Sequence, residues 1–176
     1  MIYEAMNMFA PNHQTTIYVN ARALIERQTH RGFEVVLQTR NKAHENKKSI
    51  ELPGGRLDLY ESFIDALKRE VKEETGLGIT FVEGQSSRLE TVNSGNRVEC
   101  LRPYAVYQTL AGPVDSMGVY FLCYAEGELL STGDDTEDIR WFSISEVAEM
   151  LRENHEQFSW VDQAALTFYL AEKGLT

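Results

Sequence analysis

The sequence has few cysteines, few basic residues and no long apolar run, and each shortage excludes a class of protein. Its two cysteines, Cys100 and Cys123, lack the spacing of a zinc site or a redox pair and lie in apolar, strand-like surroundings. We therefore expect two reduced, buried thiols in a cytoplasmic protein. No apolar stretch is long enough to cross a membrane, and Met1 to Ala10 lacks the basic and apolar regions of a signal peptide.

Basic residues are outnumbered, because 17 lysines and arginines stand against 27 aspartates and glutamates, for a formal net charge of −10. An acidic surface repels phosphate backbones at long range, so nucleic acid is not an expected partner. A small phosphorylated ligand is compatible with this charge, since a bound cation reverses the local field. The length of 176 residues and the 43% hydrophobic content predict a single domain over residues 1–176 with a core that needs no disulfide.

The pattern of apolar residues predicts a fold of mixed strands and helices. Strands are predicted over Thr15–Glu26, Phe33–Thr39, Ser49–Leu52, Ile79–Val82, Arg88–Val92, Val98–Thr109, Val119–Ala125 and Arg140–Phe142. The polar segment Asn41–Lys48 is expected to be a loop. Helices are predicted after Ser62, over Ile144–Asn154 and over Trp160–Lys173. Ser62 with Asp65 can cap the first helix, and Gly76 is placed to end it.

The first predicted helix carries three glutamates on one side. On a helical wheel at about 100° per residue, Glu73 and Glu74 fall within about 60° of Glu70, beside the apolar stripe. Like charges at this spacing destabilise a helix by roughly a few tenths of a kcal/mol per pair, and the helix dipole disfavours anions at this end. A bound divalent cation removes the conflict, because Mg²⁺ and Mn²⁺ prefer hard oxygen ligands.

Two neighbours of the three glutamates favour a metal site. Arg69 lies four residues before Glu73 and can fix the rotamer of that carboxylate by pairing with it. The Gly54-Gly55 turn can bring a backbone carbonyl close, since glycine has no side chain to block the approach. The alternative interpretation of the run KREVKEE is a solvated, charged helix face without a ligand.

The spacing of the whole stretch resembles a known motif. From Gly55 the sequence runs five residues to Glu61 and then seven residues to the run REVKEETGL, which ends at Leu77. Every specified position of the Nudix box, G-x5-E-x7-R-E-U-x-E-E-x-G-U with U an aliphatic residue, is filled. At average residue usage such a match arises by chance in roughly one of 10⁸ windows or fewer. Over Gly55–Leu77 the chain therefore resembles the Nudix hydrolase family.

The resemblance implies a fold, a site and an activity. Nudix proteins share an α/β/α sandwich with a central mixed sheet, an α+β fold in which the box forms a loop, a helix and a loop. The residues that match the family's metal ligands are the Gly54 carbonyl, Glu70, Glu73 and Glu74. Arg69 matches the arginine that orients a glutamate, and the supporting box positions are Gly55, Glu61 and Gly76.

The implied activity is hydrolysis of a pyrophosphate bond with Mg²⁺, or with Mn²⁺. Glu70 or Glu73 is expected to take part, and the general base is left open between these glutamates and a carboxylate outside the box. Many relatives are homodimers, so the resemblance also implies a homodimer.

Outside the box, three acids and one arginine are weaker candidates. Asp134, Asp135 and Glu137 lie where many relatives supply an extra carboxylate, and a solvated acidic loop is the alternative interpretation. Arg40 follows the second predicted strand and could reach a phosphate, with a surface arginine as the alternative. Four aromatic residues could stack on a base, although aromatics in strands are mostly core: Tyr104, Tyr107, Phe142 and Trp160.

The expected substrate is a nucleoside diphosphate derivative, with an ADP-ribose-like molecule or a nucleotide sugar favoured. A damaged or surplus nucleoside triphosphate is the runner-up. Gly78–Val98 lacks the marker proline or tyrosine that some Nudix subfamilies carry for ADP-ribose or dinucleoside polyphosphates, which weakens both of those assignments. Two other classes stay open: a non-catalytic, Nudix-like nucleotide sensor, and an acidic interaction protein whose helix only resembles the box.

Overall fold

The structure, a computed structural model, describes residues 16–42 and 48–175. The strands in these ranges are β1 Tyr18–Thr29, β2 Gly32–Arg40, β3 Ser49–Glu51, β4 Gly54–Arg56, β5 Gly78–Val82, β6 Leu89–Asn93, β7 Asn96–Cys100, β8 Ala105–Gln108, β9 Ser116–Glu126, β10 Thr132–Gly133 and β11 Thr136–Ser143. The helices are α1 Phe63–Thr75, α2 Ile144–Asn154 and α3 Asp162–Glu172. The segment Met1–Ala10, Thr15 and residues 43–47 of the predicted loop lie outside the described residues.

A nine-stranded mixed sheet forms the centre of the described part of the chain. Its main strand order is β10-β11-β2-β1-β9-β5, while β3 pairs with β2, β4 with β1 and β8 with β9. The β1–β9 pair is parallel, from Tyr18 opposite Ser116 to Ile25 opposite Cys123, whereas β1 and β2 are antiparallel. The strands β6 and β7 form a separate hairpin.

Helices cover both faces of this sheet, because successive side chains of a strand point to opposite faces. Ala23 and Ile25 belong to the core cluster that contains the apolar side of α1, and Leu24 belongs to the cluster that contains α2 and α3. The expected α+β sandwich, helix on sheet on helix, is confirmed. Among residues 16–42 and 48–175, no helix has the length and apolar character that a membrane crossing requires.

Local sequence determines both ends of α1. The Ser62 hydroxyl accepts a hydrogen bond from the Asp65 amide at 3.1 Å and donates to the Asp65 carboxylate at 2.7 Å. Gly76 takes a left-handed φ of 80° and its amide donates to Lys72 O, which closes the last turn. The predicted cap and the predicted end of the helix are therefore confirmed.

Two predictions about the middle of the chain were wrong. The segment Val98–Thr109, predicted as one strand, is divided into β7 and β8. Pro103 lies between them, where its ring nitrogen has no hydrogen to donate to a strand ladder. Cys100 is exposed, because it ends a hairpin strand that the main sheet does not cover, whereas Cys123 is buried in β9 as expected.

We expect a thiol titration of the folded protein to detect one cysteine. Cys100 is exposed and accessible to an aromatic disulfide reagent, while burial shields the Cys123 sulfur and raises the pKa of its thiol. In denaturant both thiols should react. Rapid modification of both cysteines under native conditions would contradict the packing of β9.

Candidate active site

The segment 130–136 binds the last turn of α1 and brings a second acidic loop beside it. The carbonyl of Glu73 accepts a hydrogen bond from Asp134 N at 3.3 Å. Gly133 packs directly on this turn, since a Cβ at Gly133 would lie 1.9 Å from Glu74 O. Carbonyls at a helix end need such partners. As a result, Asp134 and Asp135 line the same cleft as α1.

Glu74 is the most deeply buried acid of α1, with 9% of its surface exposed. Its Oε2 accepts hydrogen bonds from Gln38 Nε2 and from Gly54 N, both at 2.8 Å. Burial raises the pKa of the Glu74 carboxyl to about 8; the hydrogen bond from Gly54 acts in the opposite direction, and the charge of Glu51 adds to the rise. Ionising a carboxyl in such surroundings is costly unless a positive charge is supplied.

Arg69 joins the other acids of the box. Its Nε and Nη2 donate to the two carboxylate oxygens of Glu61 at 2.8 and 2.9 Å, which is a bidentate pair. Its Nη1 donates to Glu70 Oε1 at 2.7 Å and to Glu73 Oε2 at 3.3 Å. The expected contact with Glu73 is present but is the longest of the four. Glu61 is the main partner, and its hydrogen bonds from Arg69 lower the pKa of the Glu61 carboxyl.

The glycine turn meets the same carboxylates through its backbone. Gly54 has a φ of 135°, and a Cβ there would lie 2.3 Å from Ala21 O. A Cβ at Gly55 would lie 2.5 Å from the carboxyl carbon of Glu70. Close approach therefore requires glycine at both positions. Burial raises the pKa of the Glu70 carboxyl, and the hydrogen bond from Arg69 acts against that rise.

These groups line a cleft of about 1040 Å³. Its acidic side chains are Glu51, Glu70, Glu73, Glu74, Asp134, Asp135 and Glu156, of which Glu70, Glu73 and Glu74 form what we call the acidic wall. Its basic groups are Arg22, Arg40, Lys42, Arg56 and Arg69, and its aromatic rings are Tyr18, Tyr107, Phe158 and Trp160. One cleft therefore offers carboxylates, cationic groups and rings, which are the chemical features that a phosphorylated nucleotide-like ligand needs.

Some of the predicted residues lie outside this cleft. Glu61 stands behind Arg69, Gly76 ends the helix, and Glu137 accepts a hydrogen bond from Asn41 Nδ2 at 2.8 Å and pairs with Lys48. Two of the aromatic candidates have other roles: Phe142 is core, and Tyr104 donates to Glu172 Oε2 at 2.5 Å. The weaker candidates Arg40 and Asp135 line the cleft.

A buried ionic network on the cleft floor was not predicted. Arg22 is 6% exposed, and its Nη2 lies 3.3 Å from Glu51 Oε2. Its Nε lies 2.9 Å from Asp162 Oδ1 as an ion pair, without the angle of a hydrogen bond. Burial raises the pKa of Asp162 to about 6, although the charge of Arg22 lowers it. The available sequence signal was the presence of Asn20 and Arg22 within the otherwise apolar first part of β1, Tyr18–Ile25.

The donor chemistry of the acidic wall fits a hard divalent cation. Glu70, Glu73, Glu74 and the Gly54 carbonyl offer only oxygen ligands. The raised pKa values of Glu70 and Glu74 indicate negative charge that the protein does not fully compensate. In the part of the chain that the structure describes, no three His, Cys, Asp or Glu side chains are already arranged around a common point. Arg69 holds two of the glutamates, and Glu74 faces Gly54 N.

The sequence and the fold were compared with known proteins. The family model for the NUDIX domain matches residues 17–163. The comparison with curated proteins gives no match. Among solved structures, a MutT/nudix family protein from Enterococcus faecalis is 22% identical with a TM-score of 0.54, over 80% of this chain and 49% of that one. This chain therefore spans about half the length of the Enterococcus protein.

Two further structures are similar in fold. A bifunctional NMN adenylyltransferase/ADP ribose pyrophosphatase from Francisella tularensis, in complex with AMP and a manganese ion, is 19% identical with a TM-score of 0.58, over 98% of this chain and 45% of that one. A candidate asymmetric diadenosine tetraphosphate hydrolase from Jonesia denitrificans is 17% identical with a TM-score of 0.63, over 90% of this chain and 96% of that one.

A mixed sheet between helices, with a glycine turn packed against Glu70 and Glu74 of α1, is the arrangement that the resemblance to Nudix proteins predicts. Because the matched family model spans residues 17–163 of the 176, the chain belongs to the NUDIX domain family.

The metal-free protein should lose stability through Glu74 as pH rises from about 4.5 to about 8. The folded state raises the pKa of this carboxyl from 4.5 to about 8, so it binds the proton more tightly than the unfolded chain does. Its contribution to stability is therefore full below pH 4.5 and is lost as pH rises through 8. Glu74→Gln keeps an oxygen acceptor for Gly54 N and should flatten this decline.

The measurement is urea unfolding in the presence of a chelator at a series of pH values. The free energy of unfolding should fall less steeply with pH in the variant than in the wild type. Parallel curves for the two proteins would show that Glu74 is already ionised in the metal-free fold at neutral pH.

Proposed function

We propose that this protein hydrolyses the pyrophosphate bond of a nucleoside diphosphate derivative, with an ADP-ribose-like molecule or a nucleotide sugar favoured, in a reaction that needs Mg²⁺ or Mn²⁺. The observation that carries the proposal is the wall formed by Glu70, Glu73 and Glu74 opposite Gly54-Gly55. Phosphoryl transfer depends mainly on positioning the reacting groups and on stabilising charge. The carboxylates of this wall can bind a divalent cation that would serve both purposes.

The Gly54 carbonyl, Glu70, Glu73 and Glu74 would hold the cation. A divalent ion held by these groups would supply positive charge to neutralise phosphate oxygens and to make a water molecule more acidic. The side chains of the protein perform the proton transfer and orient the reacting groups. Glu70 or Glu73 accepts the proton of the attacking water, whose oxygen forms a bond to phosphorus while the bridging P–O bond breaks. Arg69, fixed by Glu61, keeps both candidate bases oriented toward the cleft.

The size and the lining of the cleft support a nucleoside diphosphate derivative. Its volume of about 1040 Å³ is at the upper end of the range for small-molecule sites, which leaves space on both sides of a diphosphate. Trp160 is 56% exposed although it lines the cleft, so its indole is accessible to a stacking base. The guanidinium of Arg56 lies 3.5 Å from the ring centre of Tyr18, a second aromatic surface.

The proposed function is tested by a substrate panel with Mg²⁺ or Mn²⁺, in which released phosphate groups are measured after phosphatase coupling. The panel contains ADP-ribose, nucleotide sugars, dinucleoside polyphosphates and nucleoside triphosphates. We expect turnover that a chelator abolishes, with the diphosphate derivatives as the best substrates. Preferred hydrolysis of triphosphates would reassign the substrate, and no turnover with any member would refute the enzyme.

A pair of glutamate variants separates an active site from a charged surface. Glu73→Gln removes a proposed cation ligand and candidate base, so kcat should fall by roughly 100-fold or more. Glu149→Gln, an exposed glutamate of α2 outside the cleft lining, is the matched control and should keep wild-type kinetics. Equal activity in the two variants would identify α1 as a solvated, acidic helix face.

A substitution of Trp160 tests how the base is bound. Base–aromatic stacking contributes about 1–3 kcal/mol, so Trp160→Ala should raise KM for a nucleotide substrate by roughly 5- to 150-fold, and Trp160→Phe by less. Trp141, which lies outside the cleft lining under the guanidinium of Arg27, provides the control variant Trp141→Phe with unchanged KM. An unchanged KM in Trp160→Ala would place the base elsewhere.

A further inference from the structure

We infer that Arg22 and Asp162 are positioning residues that hold the glycine turn in register with α1. The inference deepens the proposed function, on which it rests, because the turn supplies the Gly54 carbonyl to the same site. Neither residue belongs to the box, and they are some 140 positions apart in the chain.

The pair acts on the residue that leads into the turn. Leu52 stands two positions before Gly54 and is fully buried. Its amide donates to Asp162 Oδ2 at 3.2 Å, and its carbonyl accepts from Arg22 Nη2 at 3.2 Å. Both polar backbone groups of Leu52 are therefore bound by these two side chains. Breaking either contact leaves a buried backbone group without its partner.

Backbone contacts of β1 also hold the two residues that follow Leu52, Pro53 and Gly54. Arg22 lies opposite Gly54 in the β1–β4 pairing, and Ala23 N donates to Pro53 O at 2.8 Å. Gly54 N in turn donates to Glu74, a proposed cation ligand. A displacement of Leu52 would therefore also displace Pro53 and Gly54 and disturb the hydrogen bond between Gly54 N and Glu74 of α1.

Asp162 itself is fixed from two further directions. It is fully buried at the start of α3, where its amide donates to Ser159 O at 2.9 Å. The Tyr120 hydroxyl donates to Val161 O at 2.7 Å and lies 3.2 Å from Asp162 Oδ1. The carboxylate thus joins α3, β9 and the strand that enters the turn, which gives it the rigidity that a positioning group needs.

Stability alone is a poor explanation for these charges. Replacing a buried ion pair by apolar residues of similar size is often neutral or stabilising, so such a pair is weak evidence of a stabilising role. Here the charged groups bind the backbone next to a functional turn, where an apolar pair could not. Partners that orient ligands behind a metal site affect metal affinity or activity by roughly 10- to 100-fold when they are removed.

Strand β1, which contains Arg22, also contains a residue that serves as a matched control. Glu26 is 4% exposed, accepts a hydrogen bond from the Tyr169 hydroxyl at 2.7 Å and pairs with Lys173 Nζ at 2.9 Å. It resembles Asp162 in burial and in having a tyrosine and a cation as partners, but those partners belong to α3 and the residue after it and not to the glycine turn. Glu26→Gln therefore reports the cost of disturbing a buried acid in this sheet without disturbing the turn.

The experiment compares Asp162→Asn, Arg22→Lys and Glu26→Gln with the wild type by three measurements. Amide hydrogen exchange follows Leu52, Gly54 and Gly55, calorimetry follows the binding of Mn²⁺ alone, and kinetics give kcat and KM. In Asp162→Asn we expect exchange at the turn to accelerate at least about tenfold, since Leu52 N loses a carboxylate acceptor. Mn²⁺ affinity should fall by roughly 10- to 100-fold, and kcat should fall more than KM rises.

Arg22→Lys keeps the charge but loses the guanidinium fork that reaches Leu52 O, so it should show the same changes to a smaller degree. If Asp162→Asn does not fold, Arg22→Lys alone decides the question. Glu26→Gln should match the wild type at the turn and in Mn²⁺ affinity, whatever its stability. Variants at Arg22 and Asp162 that lose stability like Glu26→Gln but keep wild-type exchange and Mn²⁺ affinity would overturn the inference.

Failure of the proposed function has a different signature. In that case the wild type itself would bind no Mn²⁺ and hydrolyse no substrate, while amide exchange at Leu52, Gly54 and Gly55 would still show whether Arg22 and Asp162 hold the turn.

Discussion

The hydrogen bond from Gly54 N to the buried Glu74 carboxylate is the contact on which the site depends. It joins the glycine turn to the last turn of α1, and the segment 130–136 binds that helix end from the other side. The arrangement places Glu74 where its charge is poorly compensated and its pKa is raised to about 8. Keeping an acid under such conditions costs stability at neutral and higher pH, a pattern that is common at functional sites.

Local signals explain how much of the structure the sequence could predict. The bounds of α1 follow from Ser62 and Gly76, which act within one helical turn. The bounds of α2 were predicted residue for residue from its amphipathic pattern, and in the structure Ser143 caps it as Ser62 caps α1. The acids of the box share one side of α1 because helical spacing alone puts them there. The roles of these acids in binding a cation or substrate are a proposal that rests on this geometry.

Contacts between distant segments were beyond sequence reasoning for a physical reason. In the sequence, Arg22 is a charged residue among the apolar residues of β1, and only the fold shows its partner, Asp162. Likewise, only the fold shows that Gln38 donates a hydrogen bond to Glu74. Arg69 was expected to bind Glu73, four residues away, but a closer bidentate partner, Glu61, comes from the loop before the helix. Partner choice depends on which segments the fold brings together, and helical spacing contains no information on that.

The box and the cleft contain different kinds of information. The box identifies the family, whereas aromatic residues of the cleft lining such as Trp160 and Tyr18 lie outside it, near opposite ends of the described chain. The similar solved structures share less than 25% of their residues with this chain, so their common feature is the fold. Substrate choice therefore has to be sought in the cleft lining and cannot be transferred from these neighbours.

The parallel pairing of β1 with β9 has a consequence for biosynthesis. The two strands align over eight residue pairs, yet β9 leaves the ribosome about a hundred residues after β1, and Asp162 emerges later still. Parallel neighbours need such long connections, and contacts between distant segments form slowly. During translation, the edge of β1 that pairs with β9 therefore lacks its partner until β9 has emerged, although β2 and β4 can pair with β1 earlier, and unpaired strand edges of this kind favour aggregation.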